Sequence, residues 1–324
     1  MQVPAPLLFL PHHPDRLSRP SIAVCNVLNP RLPMDLAPTL KSLAARQTPS
    51  GAFAAREGGE PRPDATAWAV LGMRAAGPGN EEAIEKARQE LLTEQFKEGL
   101  VAIDHDHPVS SWPTALALLA WWGWPPGEEA SRHALNFLSD VTVITFKSED
   151  TVNSVDSTMR GWAWIGGTTC WVEPTSMAVF AFDRCGRQID RVRQGINLVL
   201  NRQLPHGGWN FGNTFVYGAE LLPAEEYIGV ALTALAGHCE ESQVSQSIAL
   251  LEQRLEKIRT PLTLAWGILG LAAWKRRPAF ADQAISECLD RQARLGPYDT
   301  SHLALLLIAG HCPGGLIDLF PAKT

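Results

Sequence analysis

Two glutamates, Glu173 and Glu226, and two aspartates, Asp64 and Asp299, each stand at the start of a short, nearly all-apolar segment. A carboxyl group in that position has two ordinary uses. It can complement the positive end of a helix, or, where burial keeps it protonated, it can give a proton. Asp is a favoured cap, which is the plain reading of Asp64 and Asp299. Glu173 fits that reading less well, because Glu caps weakly and Pro174 already makes a good first helical residue. The stretch before it, from Gly161 to Trp171, is rich in glycine and tryptophan. A carboxyl set among Trp162, Trp164 and Trp171 is expected to keep its proton to higher pH, and aromatic faces shield a developing cation. Glu173 is therefore the candidate general acid, with Asp64 the second candidate.

A second group surrounds the turn Gly207-Gly-Trp-Asn-Phe-Gly-Asn213, whose glycines and asparagines suit a tight turn. Its plain reading is a joint between helices. Its functional reading is a polar rim in which Trp209, Asn210 and Asn213 contact ligand, continuing through Tyr217 to Glu226. Asp299 and His302 begin another apolar segment and complete the set of expected binding residues. Asp104-His-Asp-His107 has metal-ligand chemistry but reads as a solvated turn. The expectation is no metal and no cofactor. Phosphate-loop, dinucleotide and nucleophile-elbow motifs are absent from the sequence.

These residues need a scaffold, and the sequence repeats one. Six small-residue apolar segments begin near Asp64, Trp112, Glu173, Glu226, Leu262 and Asp299. Being apolar nearly all round, they read as buried helices. Amphipathic helices are expected between them near 34–47, 81–95, 131–141, 188–203, 242–257 and 279–292. The joints repeat as well: Gln47, Gly51 and Phe53 share a spacing with Gln203, Gly207 and Trp209 and with Gln292, Gly296 and Tyr298. Gln95, Gly99 and Val101 are a weaker copy. Six buried helices alternating with six amphipathic ones close best as an inner ring inside an outer ring, an all-α (α/α)6 toroid. The expected layout is an N-terminal arm over 1–33, one toroid over 34–312 and a tail over 313–324.

The Gln-to-aromatic joint followed by Asp64-Ala-Thr-Ala resembles the QW repeat of squalene and oxidosqualene cyclases, here of a bacterial type, and the ring of protein prenyltransferase β subunits. The resemblance spans about residues 34–310. It implies an apolar central cavity, an isoprenoid-like small-molecule substrate and acid-initiated cyclisation. It carries the general acid onto Asp64 or, in a different repeat, Glu173, although the neighbouring acids of the cyclase motif are missing. Thr66, Thr175 and Ser301 stand where prenyltransferases use a zinc-binding cysteine, so zinc chemistry of that kind is not expected. The same ring without chemistry would bind a lipid, a peptide or a protein partner, or serve as an accessory subunit.

The totals narrow the field. A formal charge of −6 and a pI near 5.9 disfavour nucleic-acid binding. Six scattered cysteines without a CxxC pair suit a reducing, cytoplasmic setting. The longest apolar stretch, Trp112 to Trp124, is too short for a membrane span. An apolar substrate leaves peripheral membrane contact open.

Overall fold

A computed structural model describes residues 34–145, 156–186 and 189–321. The expected arm over 1–33 lies outside the described residues. Thirteen α-helices are found among the described residues. The buried ones are α2 (Pro63–Ala75), α4 (Pro113–Trp121), α6 (Val172–Arg184), α8 (Glu225–Leu235), α10 (Pro261–Ala273) and α13 (Thr300–His311). The amphipathic ones are α1 (Ala37–Ala44), α3 (Glu81–Thr93), α5 (Glu128–Asp140), α7 (Ile189–Asn201), α9 (Glu241–Leu255) and α11 (Ala281–Asp290). A single turn, α12 (Gln292–Leu295), precedes the last buried helix.

The buried helices pack in chain order, α2 on α4, α4 on α6, α6 on α8, α8 on α10 and α10 on α13. The ring closes because α13 packs back on α2. Outer helices sit over the seams: α1 touches α13 and α2, α3 touches α2 and α4, and α9 touches α8 and α10. The chain is therefore an all-α, double-ringed toroid. The inner helices share one direction, so their N-terminal ends form one mouth.

Small residues let the inner helices approach. Gly229 on α8 faces the backbone of Trp266 on α10, and a Cβ there would overlap the Trp266 carbonyl. The middle turns are closely packed: Leu71, Leu119, Val179, Leu232, Leu269 and Leu307, one from each inner helix, are inaccessible to solvent. Trp68 and Trp266, on helices that flank α13, meet edge to face at 5.9 Å.

The other end of the ring is sealed by the segment after α13. Phe320 is buried against Phe180 and Trp122. The Arg74 guanidinium lies over the rings of both Trp122 and Phe320 and donates to the Leu319 carbonyl at 2.7 Å. Burial lowers its pKa to about 10.

Candidate functional site at the mouth of the ring

The joints set the height of each inner helix. The Gln47 amide donates to Gly51 O at 2.9 Å and to Ala83 O of the next outer helix at 2.8 Å. Gln95 does the same with Gly99 O and Ala130 O. Gln203 instead reaches Ser247 Oγ at 2.7 Å. Gly99 holds φ +96° with the His133 carbonyl directly above it, so a side chain has neither the dihedral nor the room. A threonine in the first turn of the inner helix then ties down the joint. Thr66, Thr114 and Thr175 each accept the amide of a residue thirteen earlier, Phe53, Val101 and Trp162.

That device assigns Trp162 to the wall, and burial assigns Trp209 there. Trp162 occupies the position of Phe53, its indole N–H donates to Leu138 O, and the Arg191 guanidinium lies 4.1 Å from its ring centre. Trp209 is fully buried and donates to Val199 O of α7 at 2.7 Å. Neither faces the mouth. The spacing to Thr175 was available in the sequence and marks Trp162 as a joint residue.

Glu173 is the second residue of α6, behind the N-cap position of Trp171. It is half-buried by surface, yet protein surrounds it on nearly every side. Among the described residues it has no ion-pair partner and no hydrogen bond. Desolvation, and then the charge of Glu226, raises its pKa to about 7. The positive end of α6 works in the opposite direction, so burial wins here. Glu226, on the neighbouring α8, accepts from Thr263 Oγ1 of α10 at 3.2 Å. Tyr227 is raised by burial and by the charges of Glu173 and Glu226, which places it beside both. Glu173 and Glu226, expected in one sector of the mouth, are thus brought together.

Aromatic rings form the rim of that sector. Trp112 meets Trp164 edge to face at 5.5 Å, and Trp171 lies 5.7 Å from Phe211. Two backbone bonds hold the loops in register: Ser111 N to Trp164 O at 3.1 Å and Val172 N to Phe211 O at 3.0 Å. Trp164 and Trp171 are half-buried. Phe211 was not among the expected binding residues, because its turn between Asn210 and Gly212 gives no signal of its packing on Trp171.

The remaining expected residues are distributed differently. Asp64 accepts from Arg62 Nε at 2.9 Å and from Arg62 Nη2 at 3.0 Å, so both of its oxygens are engaged. Asp299 accepts from Arg56 at 2.7 Å. Neither aspartate makes a capping hydrogen bond. His302 lies across α13 beside Tyr298, and burial lowers its pKa. Asn210 spends its amide within its own turn, donating to Asn213 O and accepting from Gly212 N, both at 2.8 Å. Tyr217 is 88% exposed at the tip of a two-residue-stranded hairpin, β1 (Phe215–Val216) and β2 (Ala219–Glu220). Asp104 and His107 pair with each other in an exposed turn.

Two concavities among the described residues lie elsewhere. One follows Trp121 to Pro126 beside α5, and one runs between α7 and α9. Neither touches Glu173 or Glu226.

No protein-family model matches the chain, and no curated protein matches it. Solved structures do. A type II terpene cyclase, MstE from Scytonema, in complex with merosterolic acid A, is similar over 86% of this chain and 97% of its own, with a TM-score of 0.57 and 16% identity. A protein from Actinoplanes is similar over 81% of this chain and 82% of its own, with a TM-score of 0.55 and 18% identity. The GH76A alpha-1,6-mannanase from Salegentibacter is similar at a TM-score of 0.52 and 9% identity, over 86% of this chain and 98% of its own. The fold is that of the α/α toroids, which host both terpenoid and glycoside chemistry, so function rests on the site.

Proposed function

We propose that this chain is a terpenoid-cyclase-like toroid that takes an isoprenoid-like apolar molecule at its mouth and transforms it by proton transfer from Glu173. The observation that carries this reading is a desolvated carboxyl without a partner among the described residues, set between a second carboxylate and an aromatic rim. Burial disfavours the charged form, so Glu173 retains a proton near neutrality where Asp64, held by Arg62, serves as an acceptor. Trp171, Trp164 and Phe211 offer faces that attract a developing cation. Glu226 supplies the negative field that stabilises it.

The step balances simply. The Glu173 O–H gives its proton to one carbon of an alkene, a C–H bond forms, and the cation moves through ring closure. Loss of a proton from a neighbouring carbon to water ends the sequence and leaves an isomer of the substrate. Farnesol and geranylgeraniol incubated with the protein in D2O test this. The expected product is a cyclic isomer carrying one deuterium in place of one hydrogen, absent with Glu173→Gln. Recovery of unlabelled, unchanged alcohol from the wild type overturns the catalytic reading.

The second reading is a toroid that binds its apolar ligand without chemistry. The observation that favours it is that Asp64, at the place of the cyclase acid, is tied to Arg62 through both oxygens. Organic extraction and mass spectrometry of the purified protein separate the two. Bound isoprenoid identical in wild type and Glu173→Gln supports binding alone. No helix among the described residues is long and apolar enough to cross a membrane.

A further inference from the structure

The helix that begins beside Glu173 ends on Asp183 and Arg184, so the two tips of α6 lie about 15 Å apart along its axis. At the far tip, Asp183 Oδ1 lies 3.4 Å from His238 Nε2, and the other Asp183 oxygen is held by the Arg184 guanidinium. The turn between α8 and α9 brings the imidazole there. Gly237 takes φ +81°, which an L side chain resists, and the His238 amide closes the turn on Leu235 O at 2.9 Å. His238 and then Arg184 hold the Asp183 pKa down to about 2, against the burial that opposes them, so the acid is an anion near neutrality. An anion opposite Nε2 favours a proton on that nitrogen and leaves Nδ1 with a lone pair. Nδ1 has no hydrogen-bond partner among the described residues.

His238 and Asp183 line a cavity of about 560 Å³ where α7 and α9 begin. Here α7 packs on α6 and α8, and α9 packs on α8 and α10, so the gap between α7 and α9 is left to this cavity. Its volume falls in the range of about 300–1,000 Å³ usual for small-molecule sites. One wall is apolar. Val192, Ile196 and Leu200 recur every fourth residue of α7 and form a stripe about 12 Å long, running away from His238. A carboxylate head would find no free cation beside it, because Arg184 is engaged by Asp183 and Arg193 by Asp190. No three metal-ligating side chains gather among the described residues either. An apolar stripe that ends on an unpartnered acceptor suits an apolar chain with a hydroxyl at one end.

We propose that the cavity between α7 and α9 is a second binding site, for a straight-chain alcohol of about eight to ten carbons, a length set by the 12 Å stripe. Its hydroxyl donates to His238 Nδ1, and its chain lies along Val192, Ile196 and Leu200. Asp183 is a positioning residue that fixes the imidazole tautomer. The site stands apart from the mouth and does not depend on what Glu173 does.

The test compares octanol with octyl methyl ether, which keeps the chain and cannot donate. Calorimetric titration of the full chain at pH 8 should find one octanol site, and the ether should bind about fivefold more weakly or worse, the usual size of one hydrogen bond. Leu200→Trp, which fills the groove, should weaken both compounds by about tenfold or more. His238→Phe keeps a ring without an acceptor and should bring the two affinities within about twofold of each other. Glu173→Gln should leave octanol binding unchanged. In the wild type, nitrogen NMR spectra should show octanol moving the His238 Nδ1 signal and leaving Nε2 nearly in place, a readout that needs no variant to fold. Equal affinity for alcohol and ether, an unmoved Nδ1 signal, or no binding of octanol overturns the proposal. Octanol binding that is lost with Glu173→Gln and kept with Leu200→Trp places the alcohol at the mouth and overturns it as well.

Discussion

Glu173 and Asp64 begin equivalent helices in one ring, and their neighbours give them opposite characters. Asp64 has a guanidinium two residues before it and bonds to it through both oxygens. Glu173 has tryptophan in that sector and a second glutamate across the helix seam. Its folded pKa of about 7 exceeds the ordinary 4.5. Between those values the folded state binds more protons than the unfolded state, so unfolding free energy falls as pH rises through this window and stays reduced above pH 7. The cost is on the order of 3 kcal/mol for a shift of that size. Glu173→Gln should therefore match the wild type near pH 5 in urea melts and exceed it at pH 8. Parallel pH dependence in both proteins would contradict the assignment. Glu173 and Glu226 were legible in the sequence because each begins an apolar repeat. Trp162 was assigned to the mouth from its nearness in sequence to Glu173 and Trp209 from its glycine–asparagine turn, and neither signal says which side of a helix a joint residue enters. Phe211 was missed because its role comes from packing on Trp171 across a loop.

At the scale of elements, the recurring unit is a glutamine, a glycine and a threonine that together lock one hairpin to the next. All twelve ring helices were legible from their periodicity, because each either hides on every side or shows one apolar stripe. The hairpin β1–β2 and the turn α12 were not, being too short for any period to show. The joint is also where the fold is most easily damaged. Gly99→Ala places a Cβ against the His133 carbonyl at a dihedral that L residues resist, and should cost about 2 kcal/mol or more in denaturant melts. Gln95→Ala leaves the Gly99 and Ala130 carbonyls without their donor and should cost about 1–3 kcal/mol. Losses within a few tenths of a kcal/mol of zero would mean that the joints follow from helix packing and do not direct it.

For the molecule as a whole, closure is the decisive event. The first and last inner helices, α2 and α13, meet across nearly the full sequence, and the segment ending in Phe320 seals the end opposite the acids. Phe320→Ala should lower stability by about 3–5 kcal/mol and expose Arg74, with little effect on ligand binding at the mouth. A selective loss of binding with unchanged stability would show that the two ends communicate. We propose the acid mouth as the place where ligand meets reactive groups, and the central claim is that Glu173 holds a proton there near neutrality. Infrared difference spectra of wild type minus Glu173→Gln, followed from pH 5 to pH 9, report that proton directly through the carboxylic C=O stretch. The account predicts a single protonated carboxyl that disappears with a midpoint near pH 7. A band already absent at pH 6 would show an ordinary ionised glutamate and remove the acid from the site.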